Sequence, residues 1–161
     1  MKAPYWLDAD VLIQAKNSYY AFDIVPSFWG ALQQGVNDGL VLSPMMVHDE
    51  LMRGGDELTN WAKGMKGSGL FQDADKKVQA FVGKIADYVG KNFEAPKAKL
   101  FLEGADPWVI SSAHISGGTV VTHESLGGIG CKRVKIPNVC DKFGVPYTSC
   151  FQMLRGIKAI L

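Results

Sequence analysis

Tyr5-Trp6-Leu7-Asp8-Ala9-Asp10-Val11-Leu12-Ile13 is the stretch that decides the fold. A short apolar run meets two acids, and the apolar residues beyond them continue into Gln14-Ala15-Lys16. The segment therefore reads as a strand that turns into a helix at its acids. Working outward, Pro26-Ser27-Phe28-Trp29 through Val36 has helical spacing and stops near Asp38-Gly39. Leu40-Val41-Leu42 is a buried strand, and Ser43-Pro44 gives an N-cap with proline at the first helical position. The helix opened there carries His48, Asp49 and Glu50.

From residue 54 to about 103 the periodicity of Leu58, Trp61 and Ala62, then of Val78, Phe81, Val82, Ile85, Tyr88 and Val89, predicts a helical insert covering the site, with a loop over Gly64–Gly69. Asp106-Pro107 opens another helix that Gly117-Gly118 ends, and Thr119-Val120-Val121-Thr122 is a strand. Gly127-Gly128-Ile129-Gly130 is a loop, Arg133-Val134-Lys135-Ile136 a further strand, and Phe151–Ile160 a closing helix. Strands alternating with helices predict an α/β fold of three layers, α/β/α, with a short, mostly parallel central sheet. Residues 1–161 read as a single domain, and functional groups are expected beyond the carboxyl ends of the strands.

An apolar share of 47% against 20% charged residues places the chain among globular domains rather than disordered or fibrous ones. No apolar run is long enough to cross a bilayer, and Met1-Lys2-Ala3-Pro4 passes directly into a strand instead of a signal segment, so a cytoplasmic protein is expected. Cys131, Cys140 and Cys150 lack CxxC spacing and read as buried free thiols. The net charge of +1 conceals an asymmetry: residues 1–60 hold three basic residues against eight acids, and residues 125–161 six basic residues against Asp141. Such a chain can set an acidic pocket beside a basic rim, or simply scatter solvated charge.

Asp8 and Asp10 leave the first strand, Glu50 lies on the helix after the second, Asp106 starts a helix, and Glu124 follows the Thr119–Thr122 strand. All five should meet one edge of the sheet. Carboxylates gathered in a partly apolar setting repel unless a cation neutralises them or some become protonated, and oxygen-only donors select Mg²⁺ or Mn²⁺.

The order and setting of these acids, in Leu7-Asp8-Ala9-Asp10-Val11-Leu12-Ile13, Val47-His48-Asp49-Glu50-Leu51, Asp106-Pro107-Trp108-Val109-Ile110 and Val120-Val121-Thr122-His123-Glu124, resemble the PIN domain over nearly the whole chain. Within that superfamily the chain looks most like a PIN-like group of short prokaryotic proteins, a match helped by Tyr19-Tyr20, Pro26-Ser27-Phe28-Trp29 and Lys135-Ile136-Pro137-Asn138-Val139-Cys140. The resemblance implies metal-dependent cleavage of RNA, often by the toxin of a toxin–antitoxin pair, and hence an RNA substrate, a protein antitoxin and a homodimer. It implies Asp8, Asp106 and Glu124 as metal ligands and Glu50 as ligand or water-orienting base. The last position is usually Asp in the family and is Glu124 here, while Asp10 stands where a small polar residue is more usual. Thr122 would contact a phosphate or hold the Asp8 carboxylate, and Lys132, Arg133 and Lys135 are candidates for the RNA backbone.

Each residue also has a plainer reading. Asp106 before Pro107 is a good N-cap, Asp10 can cap the first helix, and Glu50, Asp49 and Glu124 taken singly are surface acids. His48 and His114 read as packed, His123 as an exposed loop residue, and Trp29, Trp61 and Trp108 as core. A rival enzyme class is the haloacid-dehalogenase-type phosphatase, whose strand-end DxD nucleophile Asp8-Ala9-Asp10 would match. It would leave Glu50 and Asp106 without a role. A rival of another kind is a catalytically silent PIN-like module that binds RNA or a protein.

Overall fold

A computed structural model describes residues 2–161. Its sheet has five strands, all parallel, in the order β3-β2-β1-β4-β5. The strands are β1 (Tyr5–Leu7), β2 (Val41–Pro44), β3 (Phe71–Gln72), β4 (Thr119–Val121) and β5 (Tyr147–Thr148). The helices are α1 (Ala9–Asn17), α2 (Pro26–Asn37), α3 (Met45–Leu51), α4 (Glu57–Met65), α5 (Lys76–Asn92), α6 (Ala95–Glu103), α7 (Asp106–Ser116), α8 (Ile136–Phe143) and α9 (Cys150–Gly156). They flank the sheet in an α/β/α arrangement: α7 packs on β1, β2 and β4, α5 lies against α7, and α2 packs on β2.

Parallel strands need both faces covered, and their composition shows it. Leu7, Val41, Val120 and Val121 have no exposed surface, and each such side chain contributes about 1.5–3 kcal/mol relative to exposure. One contiguous core joins them to Phe28, Leu32, Ile85, Val109, Ile110, Ile136 and Met153.

Several elements differ from the sequence reading, each for a local reason. Arg133–Ile136 is not a strand; Ile136 and Pro137 begin α8, and the Ile136 amide donates to Glu124 Oε2 at 2.7 Å instead of joining a ladder. The fifth strand is Tyr147–Thr148, too short to show periodicity, paired to Val120 and Val121. The stretch 54–103 contains β3 as well as helices, because Phe71–Gln72 pairs with Ser43–Pro44 at the sheet edge. Ser43 is the third residue of β2 rather than a cap, and its hydroxyl donates to the Leu7 carbonyl at 2.8 Å, tying β2 to the end of β1. The closing helix begins with Ser149 as its cap and ends at Gly156, four residues short of Ile160.

The strand order matters for function. The chain adds β2 and β3 on one side of β1, then returns to place β4 and β5 on the other. At such a reversal the connections leave β1 and β4 in opposite directions and open a crevice beyond their carboxyl ends. Gly118 permits the close pairing there: a Cβ at this position would collide with the Pro4 carbonyl, to which the Thr119 amide donates at 3.0 Å.

Candidate functional site

Beyond the ends of β1 and β4 lies a cleft of about 440 Å³ whose lining includes Asp8, Asp10, Glu50, Asp106, Glu124, Arg53 and Arg133. With Glu103 of α6, six acids from five segments of the chain thus face one space. Ile13, Leu100 and Phe101 add an apolar side.

Asp8 is the first residue after β1 and the cap of α1. Its Oδ1 accepts the Val11 amide at 2.8 Å, and the side chain is almost wholly buried. Burial pushes its pKa up to about 8; the Val11 bond and the Thr122 hydroxyl oppose the rise, while Asp106 and Asp10 add to it. Asp10 lies in the first turn of α1, half-buried, and the capping that its sequence context allowed is done by Asp8.

Asp106 is the first residue of α7, and no side chain caps that helix. The N-cap reading of Asp106 is therefore corrected: the residue before it, Ala105, occupies the cap position. Burial raises the Asp106 pKa to about 7, Glu124, Glu50 and Asp10 contribute to the rise, and Arg133 counteracts it. Glu50 approaches from α3 and ties the two helices together, its Oε1 accepting the Ala105 amide at 2.8 Å. Gly104 leaves room for this contact, since a Cβ there would stand 3.3 Å from that oxygen.

Glu124 reaches back from the loop after β4 and is held twice, by the Ile136 amide on Oε2 and by Arg133 on Oε1 at 3.1 Å. It thereby serves the amino end of α8, a favourable place for a negative charge. Thr122 is buried at the end of β4, and its hydroxyl accepts the Glu124 amide at 3.1 Å. Arg133 lines the cleft; Lys132 is exposed and, like Lys135, does not. Sequence reasoning missed Arg53, just beyond α3, and Glu103, the last residue of α6, because a lone charge at a helix end carries no positional signal.

Of the plainer readings, His48 is buried edge-on to Phe71, 5.1 Å between ring centroids, and His114 is exposed but stacked on Phe81 at 3.9 Å. Trp29 is core, and Trp61 and Trp108 are only half-buried. Cys140 and Cys150 are buried free thiols, whereas Cys131 is half-exposed.

Among the described residues no three His, Cys, Asp or Glu side chains stand in ready coordinating geometry. The hydrogen bonds explain the spread: Asp8, Glu50 and Glu124 each direct an oxygen to a backbone amide. The donor set nevertheless fits a hard cation. It is oxygen-only, and desolvation pushes two of its carboxyls, buried Asp8 and half-buried Asp106, up to about 8 and about 7.

Residues 5–161 match a family model described as "Domain of unknown function (DUF4411)". The chain belongs to that family. No curated protein matches the sequence.

Proposed function

We propose that this chain is a PIN-type ribonuclease that hydrolyses RNA phosphodiester bonds with the help of Mg²⁺ or Mn²⁺. The observation that carries the reading is the meeting of Asp8, Glu50, Asp106 and Glu124, from four separate segments, in one cleft at the reversal of strand order. The resemblance of the same four segments to the PIN domain supplies the RNA substrate, the toxin role, an antitoxin partner and a homodimer as parts of the proposal.

Asp8 and Asp106 are the residues that would hold the cation, joined by Glu124 once its contact with Arg133 opens. The cation would supply charge neutralisation at the phosphate and acidify a water. Glu50 keeps one carboxylate oxygen free of the Ala105 amide, and it orients the attacking water and takes its proton. Thr122 steadies the Asp8 carboxylate. Arg133 and Arg53 draw the phosphate into an otherwise acidic cleft. Attack forms the new P–O bond as the bond to the leaving ribose oxygen breaks, and that oxygen leaves with a proton from solvent.

A phosphatase using Asp8 as nucleophile would give Glu50 and Asp106 nothing to do, although both line the cleft. The test is cleavage of end-labelled RNA. Activity should appear with Mg²⁺ or Mn²⁺, stop with EDTA, and fall by about 10²–10³-fold in Asp8→Asn, as loss of a central charge interaction does. p-Nitrophenyl phosphate should turn over poorly, and beryllofluoride should leave no stable adduct. RNA cleavage by Asp8→Asn in chelator at the wild-type rate would overturn the reading, and rapid, Asp8-dependent turnover of the ester would replace it with the phosphatase.

A further inference from the structure

A second cleft, of about 360 Å³, lies where β2 and β3 end, lined by Met45, Met46, Asp49, Gln72, Asp73 and Trp108 among others. None of its lining residues is cationic. Asp49 is exposed, and its one polar side-chain contact among the described residues is with the neighbouring His48 Nδ1, at 3.4 Å, while Asp73 forms no ion pair among those residues. Trp108 is half-buried, so part of its indole faces outward, and Met46 is exposed. The site thus combines an aromatic ring, two flexible thioethers and two carboxylates without counter-charge.

That chemistry selects a flat cation. A guanidinium stacks on an indole and is drawn to the negative face of its ring, while its N–H fork suits carboxylates. A phosphate would meet two like charges and no donor of opposite sign. Gln72 is also the last residue of β3, the edge strand, beside which no further strand pairs among the described residues. An edge strand offers main-chain groups to an extended peptide, with side-chain pockets beside it supplying specificity. We infer that this second cleft receives an arginine side chain from an extended segment of a protein partner. The inference stands apart from the nuclease reading, since its test needs neither metal nor RNA.

The test is a titration of the intact protein with N-acetyl-arginine N-methylamide, followed through the Trp108 indole N–H resonance in a ¹⁵N spectrum and assigned by its loss in Trp108→Phe. The arginine derivative should move that resonance saturably in the millimolar range. Its neutral citrulline counterpart should bind about tenfold more weakly or worse, because the charge attraction is gone. Asp49→Asn/Asp73→Asn, two surface changes, should weaken the arginine response by a similar factor. Asp8→Asn should leave it unchanged, which separates this cleft from the acidic one. Absence of a saturable shift, equal binding of citrulline, or loss of the response in Asp8→Asn would each overturn the inference. A Trp108 shift with guanosine 5′-monophosphate tighter than with the arginine derivative would assign the cleft to RNA instead.

Discussion

Asp106 concentrates the physics of the site in one side chain. It is half-buried and largely desolvated, its charge is opposed by Glu124, Glu50 and Asp10, and Arg133 acts against that rise. Its folded-state pKa, about 7, lies above the ordinary 3.8, so the folded protein holds this proton more tightly than the unfolded chain does. Ionised Asp106 therefore destabilises the metal-free fold. Asp106→Asn should raise the melting temperature in EDTA at pH 8, by an amount equivalent to roughly 1–3 kcal/mol, after discounting the full shift for relaxation of the site. Mg²⁺ should then stabilise the variant less than wild type, for which a hundredfold excess over Kd gives about 2.7 kcal/mol. Equal Mg²⁺-induced shifts in the two proteins would remove Asp106 from the ligand set. Glu124 differs in kind, because its carboxylate also serves the start of α8. Glu124→Ala should cost about 1–3 kcal/mol of stability by leaving the Ile136 amide without its acceptor, with thermal melts in EDTA as the measure.

The pairing of β1 with β4 creates the crevice, and that pairing rests on Gly118. Gly118→Ala should destabilise by at least about 2 kcal/mol, since the obstructing atom is a backbone carbonyl that cannot rotate away. A variant as stable as wild type in urea unfolding would show that β4 can shift without loss. The elements that place the acids were legible in sequence: Tyr5–Leu7 with Asp8 and the helix beginning at Asp106 lie where periodicity and turn signals put them, and the helix bearing Glu50 follows the second strand as expected, although Ser43 and Pro44 belong to that strand. What escaped was decided by tertiary contacts. β3 and β5 are two residues each, below any period, and exist because a neighbouring strand is there to pair with. The segment before Pro137 has strand-like composition, yet Glu124 takes the Ile136 amide and the chain turns helical. Among the acids, position along the chain identified which would meet but not their state. The capping role fell to Asp8, and Glu124 is engaged by Arg133, neither of which spacing encodes.

At the scale of the whole molecule, the sheet places two protonatable acids where the strand order reverses, and this couples stability to pH. Both Asp8, near 8, and Asp106, near 7, have folded pKa values above 3.8. Their contribution therefore worsens as pH rises from about 4 through 7 to 8, so metal-free protein should melt at a lower temperature at pH 8 than at pH 6. Mg²⁺ should flatten that slope, because a bound cation favours the ionised forms. No helix among the described residues is long and apolar enough to cross a membrane. The same coupling gives the most direct test that the acids form one metal site. Calorimetric titration of the protein with Mn²⁺ or Mg²⁺ near pH 6.5, in two buffers of different ionisation enthalpy, counts the protons expelled per ion bound. With Asp8 and Asp106 both mainly protonated before binding, roughly one to two protons should be released, and about one fewer in Asp8→Asn. Metal binding without proton release, or no binding at all, would contradict the account.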